Sequence, residues 1–161
     1  DVVALKEKYD LPGMSVLQFG FNGLPDNPHS LNEQVEHSVA YTGTHDNDTS
    51  LGWFQSENPG TQDWVLQQLM PLVEHKLAET SLDEEYANPM PWPLIIAAFD
   101  SVAQRVIVPM QDFLKLNGEH RMNVPGVCEG NWQWQFDWTQ VPQDLAQNIH
   151  ILLEASGRLN K

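Results

Sequence analysis

His45 and Asp46 stand side by side in the string Tyr41 to Thr49, YTGTHDNDT. An imidazole next to a carboxyl group can move a proton, orient a hydroxyl or steady a developing positive charge. The residues leading into the pair, VAYTGT, are β-prone, so the pair falls where a strand ends, the place from which barrel enzymes display reactive side chains. Taken alone, a His-Asp pair at a strand end is more often a loop cap, and the flanking residues have to decide. One competing pattern overlaps it. Counting Asp46 as the first position, Asp48 is third, Ser50 fifth and Glu57 twelfth, which imitates the oxygen-ligand spacing of an EF-hand calcium loop. The sixth position of such a loop needs Gly for its sharp turn, yet it holds Leu51, and strand rather than helix precedes the segment. A calcium-binding loop is therefore disfavoured. His29, His37, His75 and His120 lie at no regular metal spacing, so no metal is expected.

The elements that must position this pair follow from periodicity and turn chemistry. Met14 to Phe21 (MSVLQFGF) reads as a buried strand after Pro12-Gly13, and Ser38 to Thr42 as a second strand. Between them, Gly23, Pro25, Asn27 and Pro28 make Asn22 to Ser38 a loop over much of its length. Helix begins near Leu51. Thr61 to Glu79 places Trp64, Val65, Leu69, Leu72, Val73 and Leu77 at spacings of three and four, with Pro71 predicting a kink or a restart. Leu94 to Ala103 is apolar nearly all round, as in a helix buried on several sides. Val106 to Met110 reads as a third strand, Gln111 to Leu116 as a brief helix, and Pro142 to Ser156 as an amphipathic helix. The alternation in Asn131 to Trp138 (NWQWQFDW) predicts a strand with one buried face, with a sugar-stacking platform as the alternative.

Apolar strands alternating with helices give an α/β fold with a parallel sheet. Functional groups then collect at the carboxyl ends of the strands. Asn22, the His45-Asp46 pair and the loop Arg121 to Gly126 (RMNVPG) each follow a strand candidate, which puts them on one face. A closed barrel needs eight strands, so the chain is expected to supply only about three strand-helix units.

Composition narrows the partners. The 161 residues, 41% of them hydrophobic, suit one globular unit over residues 1–161 rather than an acidic tail. Eight Lys plus Arg against 22 Asp plus Glu give a formal charge of -14, which repels nucleic acid and anionic membrane surfaces and favours neutral partners. Cys128 is the only cysteine, and neither a bilayer-spanning run nor a signal peptide is visible, so a reducing cytoplasmic setting is expected. The chain opens at Asp1 without an initiator Met, in what reads as the end of a helix (VVALKEKY); a piece of a longer protein is expected.

Three blocks carry a resemblance. LPGMSVLQFGF (Leu11 to Phe21), YTGTHDNDTSLGWF (Tyr41 to Phe54) and VIVPMQDFLKLNGEHRMNVPG with NWQW resemble, in order, the sixth-, seventh- and eighth-strand segments of the amylomaltases, or 4-α-glucanotransferases, of glycoside hydrolase family 77. The resemblance implies the C-terminal part of a (β/α)8 TIM-type barrel and retaining transfer of α-1,4-glucan segments between maltooligosaccharides, without a cofactor. Carried over, Asp46 is the transition-state-stabilising carboxylate, His45 its neighbour at the same sugar, Asn123 an acceptor-side contact and Asn22 a further substrate contact. The loop after Asn22 reads NPHSLNEQ where family members often carry PHNY, and Gln135 stands where Arg is common.

The RIDHFRG-like block with the nucleophilic Asp and the AEDLG-like block with the acid/base Glu are not in the chain. Retaining transfer needs two carboxyl groups roughly 5 to 5.5 Å apart across the scissile bond. The resemblance therefore implies that the remainder of the barrel is a partner and that the chain alone is inactive. The alternative is a catalytically inert glucan-binding remnant.

Overall fold

Three short strands, β1 (Gly13–Val16), β2 (Ser38–Tyr41) and β3 (Arg105–Ile107), form a parallel sheet in the order β1-β2-β3 in the computed structural model, which describes residues 2–159. The register sets Val16 against Tyr41 and Tyr41 against Ile107, so the three carboxyl ends are level. A parallel pair needs a long crossover. That between β2 and β3 holds α2 (Ser50–Ser56), α3 (Pro59–Glu79), α4 (Glu84–Ala87) and α5 (Trp92–Asp100). A first helix, α1 (Val2–Lys8), precedes the sheet; α6 (Met110–Phe113) and α7 (Leu145–Ala155) follow it.

α5 lies in the middle of the core, which is why its sequence shows no polar face. Its residues from Trp92 to Phe99 are all buried. On one side Leu94, Ala97 and Ala98 pack with Val65 and Leu69 of α3, against which Val106 of β3 also lies. On the other, Ile95, Ile96 and Phe99 pack with Val73, Leu145 and Leu152. Each fully buried aliphatic side chain of this kind contributes about 1.5–3 kcal/mol. Strand alternation sends Ala40 and Val106 toward the helices and Met14, Tyr41 and Ile107 to the opposite face. There Met14 is 58% exposed and Ile107 47%.

Several boundaries differ from the sequence expectations, each for a local reason. β1 stops at Val16 instead of reaching Phe21, and Leu17–Gly20 winds into a 3-10 turn. The Phe19 carbonyl that a ladder would use accepts instead from Asn27 Nδ2 at 2.6 Å, and a Cβ on Gly20 would lie 2.5 Å from the His29 carbonyl oxygen. β3 ends at Ile107, before Pro109, which precedes the first residue of α6. α3 continues through Pro71 without a restart, because Leu69 and Val73 on either side are both held in the core. Asn131 to Trp138 forms no strand. Trp132 N donates to the Met122 carbonyl at 2.7 Å and Asp137 N to Gln140 Oε1 at 2.7 Å, so loop and side-chain acceptors claim backbone donors that a ladder would use. Trp132 and Trp138 are 61% and 77% exposed, not buried on one face. Among the described residues no helix is long and apolar enough to cross a membrane.

Candidate active site at the carboxyl ends of the strands

A cavity of 510 Å³ opens where β2 and β3 end, and His45, Asp46, Asp48 and Arg121 line it, with Tyr41 and Ile107 forming part of its wall. The β2–α2 loop that delivers His45 and Asp46 is a tight turn sustained by its own side chains. Asn47 Oδ1 accepts from Thr44 N at 2.9 Å and from Thr44 Oγ1 at 2.6 Å, while Asp46 N donates to Thr44 Oγ1 at 3.3 Å. The loop ends where Thr49 caps α2, its hydroxyl accepting from Gly52 N at 3.0 Å.

Asp46 is gripped from the loop after α6. Asn123 Nδ2 donates to Asp46 Oδ1 at 2.6 Å, and Arg121 Nη2 donates to the Asp46 carbonyl at 3.0 Å. His45 Nε2 lies 3.4 Å from the same Oδ1, and the side chain of Asp46 stays 53% exposed. The structure thus joins His45, Asp46 and Asn123, which the sequence places 77 residues apart at the extremes of the Asn123–Asp46 contact. Asn22 is not among the cavity walls. Its Oδ1 accepts from Leu24 N at 3.0 Å and Asn27 Nδ2 at 2.9 Å, so it organises its own loop.

Three further residues stand at or behind the site with no role there assigned from the sequence, although the loop of Arg121 was placed on this face. Arg121, whose Nη1 is 4.0 Å from Asp48 Oδ2, has a buried Nε without a protein partner. Asp48 sits between two glycines: a Cβ on Gly118 would come within 2.8 Å of Asp48 Oδ1, and one on Gly52 within 2.8 Å of its Cγ. Asp112 is 1% exposed and accepts at Oδ2 from Thr42 Oγ1 (2.6 Å) and Ser50 Oγ (2.7 Å), and at Oδ1 from Ser50 N (2.8 Å). Burial pushes the Asp112 carboxyl above the ordinary carboxylate range; its hydrogen bonds from Thr42 and Ser50 pull the other way, and the charge of Asp48 adds to the rise. The only signal in the sequence was an acid inside a short apolar stretch just after a strand.

Ser50, fifth in the calcium pattern, has its hydroxyl turned onto Asp112, and Glu57 lies at the far end of α2. Among the described residues no three His, Cys, Asp or Glu side chains converge as a metal site. Chemically, the assembly offers an accessible carboxyl group with one oxygen fixed by an amide, an imidazole at its side and a guanidinium behind it. Such a group accepts hydrogen bonds from a polyhydroxylated ligand.

A family model described as 4-alpha-glucanotransferase matches residues 1–140. The chain is 38% identical over 161 residues to the 4-alpha-glucanotransferase DPE1, chloroplastic/amyloplastic, of Oryza sativa subsp. japonica, covering 100% of the chain and 25% of that protein. With the 4-alpha-glucanotransferase of Thermus thermophilus the identity is 35%, covering 99% of the chain and 31% of the relative. The amylomaltase from Streptococcus agalactiae in complex with acarbose superposes with a TM-score of 0.85 at 24% identity, over 99% of the chain and 30% of that structure. The chain spans roughly a quarter to a third of the length of these relatives. It belongs to the 4-alpha-glucanotransferase family.

Proposed function

We propose that the chain is the C-terminal part of the (β/α)8 barrel of a retaining 4-α-glucanotransferase, which transfers α-1,4-glucan segments between maltooligosaccharides. The observation that carries this is the Asp46 carboxyl group, accessible in a cavity at the strand ends and held there by Asn123 and His45. In this proposal Asp46 accepts hydrogen bonds from hydroxyls of the glucose ring as positive charge develops at the anomeric carbon. Asn123 fixes one carboxyl oxygen and leaves the other for the sugar. His45 borders the same ring, and Asn22, bound within its own loop, contacts substrate least directly.

The covalent steps need two acids from elsewhere. Of the other carboxyl groups near the cavity, Asp48 is wedged between glycines and Asp112 is buried, so neither can flank a glycosidic bond. The open face of the sheet around Met14 and Ile107 suits contact with the remaining strands of a barrel. The proposed partner is therefore the rest of the barrel, in a reducing compartment such as the cytoplasm, with no cofactor in the reaction.

Mass spectrometry of maltotriose incubated with the full-length protein tests this. Redistribution into longer and shorter glucans is expected, falling about 10²–10³-fold in Asp46→Ala. The 161-residue chain alone should redistribute nothing. Activity of the isolated chain, or a full-length protein lacking both partner acids, refutes the proposal. In the latter case, maltotriose binding weakened by Asp46→Ala would mark a glucan-binding remnant.

A further inference from the structure

We propose that Asp112 is a positioning residue: one buried carboxyl group that pins both ends of the loop carrying His45 and Asp46 and sets that loop in register with the segment carrying Arg121 and Asn123. Thr42 lies one residue past β2 and Ser50 is the first residue of α2, so together they bracket the loop. Both are fully buried, and both hydroxyls converge on the same oxygen of Asp112 while Ser50 N takes the other.

Burying a carboxyl group among neutral donors is unfavourable in itself, and a fold that needed only packing at this point would be served by an apolar residue. What the carboxyl group supplies is three acceptor contacts in fixed directions from a rigid element. The loop has little freedom to adjust around them. Gln18 Nε2 donates to the Asp48 carbonyl at 3.0 Å and lies 3.3 Å from Ser50 Oγ, and Asp48 is backed by Gly52 and Gly118. The element bearing Asp112 also leads directly to the other half of the site. Gln111, its neighbour, donates through Nε2 to the His120 carbonyl at 3.2 Å, immediately before Arg121. The Gln111-Asp112 dipeptide therefore holds one side of the cavity with each side chain, and Asp46 is the group that both sides meet.

Two variants separate this from a general structural role. Asp112→Asn keeps the shape and loses the acceptor for two hydroxyls; Thr42→Val removes one donor and leaves Asp112 in place. Hydrogen exchange on the full-length protein should show faster exchange at the Thr44, Asp46 and Ser50 amides in both, with the α3 amides of Val65 and Leu69 unchanged. Uniform acceleration in both variants, or none in either, overturns the proposal.

The second measurement rests on the proposed transferase reading and uses the full-length protein with maltotriose. Asp112→Asn should lower kcat about 10- to 100-fold, the scale of a misplacement near 1 Å, with KM within about twofold. Placed in an Asp46→Ala background, Asp112→Asn should cost less than about threefold more, because the group it positions is gone. An equal loss in both backgrounds refutes positioning through Asp46. Should Asp46→Ala itself leave kcat unchanged, the transferase reading fails, while the exchange data still decide whether Asp112 holds the loop.

Discussion

Gly52→Ala is expected to destabilise the protein where helix propensity alone says the reverse. In a helix interior the exchange ordinarily gains about 0.5–1 kcal/mol, since Gly loses more backbone freedom on folding. Gly52 is buried in α2, however, and a Cβ there would lie 2.7 Å from the backbone nitrogen of Gly118 and 2.8 Å from Asp48 Cγ. Backbone cannot yield as a side-chain tip does. Overpacking of this kind costs about 1–3 kcal/mol. Displacing Asp48 also removes the bond its Oδ1 accepts from Thr49 N at 2.7 Å, worth about 1 kcal/mol. The balance is a net loss of about 2 kcal/mol, or roughly 4–8 °C in Tm for a chain of this size. Gly60→Ala is the control. It lies exposed in the first turn of α3, and its Cβ would meet only Asn58 Oδ1, at 3.3 Å. That variant should change Tm by less than about 2 °C, or raise it. Thermal melts followed by circular dichroism, at one protein concentration, compare the two. A Gly52→Ala melt equal to or above that of Gly60→Ala refutes the enclosure of Asp48 by the two glycines.

Lys76 Nζ and Asp100 Oδ1 are 2.6 Å apart, with the side chains 6% and 19% exposed, so Asp100→Asn should strand a buried ammonium at a cost of about 3 kcal/mol. Urea unfolding should place Lys76→Met, which removes the charge, clearly above Asp100→Asn; equal midpoints contradict this. Because burial raises the folded-state value of Asp112 above its ordinary 3.8, its contribution to stability is complete below that pH and declines as the pH rises through the folded value. The stability of the protein relative to Asp112→Asn should therefore fall as the pH climbs above 3.8, in urea titrations across the acid range; a flat difference refutes it. The bare sheet face at Met14 and Ile107 predicts that the isolated chain pairs or aggregates, and light scattering that finds a monodisperse monomer contradicts it.

What was legible in the sequence is what short-range patterns encode. The β-prone lead-in to His45-Asp46 placed that pair at a strand end because the buried residues of β2 leave little else for the segment to be. The all-round apolarity of α5 announced its burial on both sides. Errors arose where other groups compete for the backbone: Asn27 takes the Phe19 carbonyl and shortens β1, and the Met122 carbonyl and the Gln140 side chain take the Trp132 and Asp137 N–H groups of the expected strand NWQWQFDW. Trp132 has a φ of 62°, outside the extended region, so its ring points toward His45, 5.2 Å between centroids, instead of into a sheet face. The role of Asp112 was not legible, although an acid in a short apolar stretch after a strand marked the position. Its meaning lies in partners 70 and 62 residues away, and no periodicity within a four-residue helix distinguishes a buried acid from a solvated one.

Three aspartates within one site show how environment divides labour among identical side chains. Asp112, at 1% exposure, has both oxygens committed to three donors and can only hold structure. Asp48, with its side chain 28% exposed, is enclosed by Gly52 and Gly118 and faces Arg121, which orders the guanidinium that in turn holds the Asp46 carbonyl. Asp46, at 53%, has one oxygen fixed by Asn123 and lines the cavity, so it is the most accessible of the three to a ligand. A chain carrying a formal charge of -14 repels a further anion, and an accessible carboxyl group among hydrogen-bonding neighbours selects for donors. A neutral polyol meets both conditions, since its hydroxyls donate to Asp46 without adding charge. On these grounds the proposed glucan is preferred over a phosphate-bearing substrate.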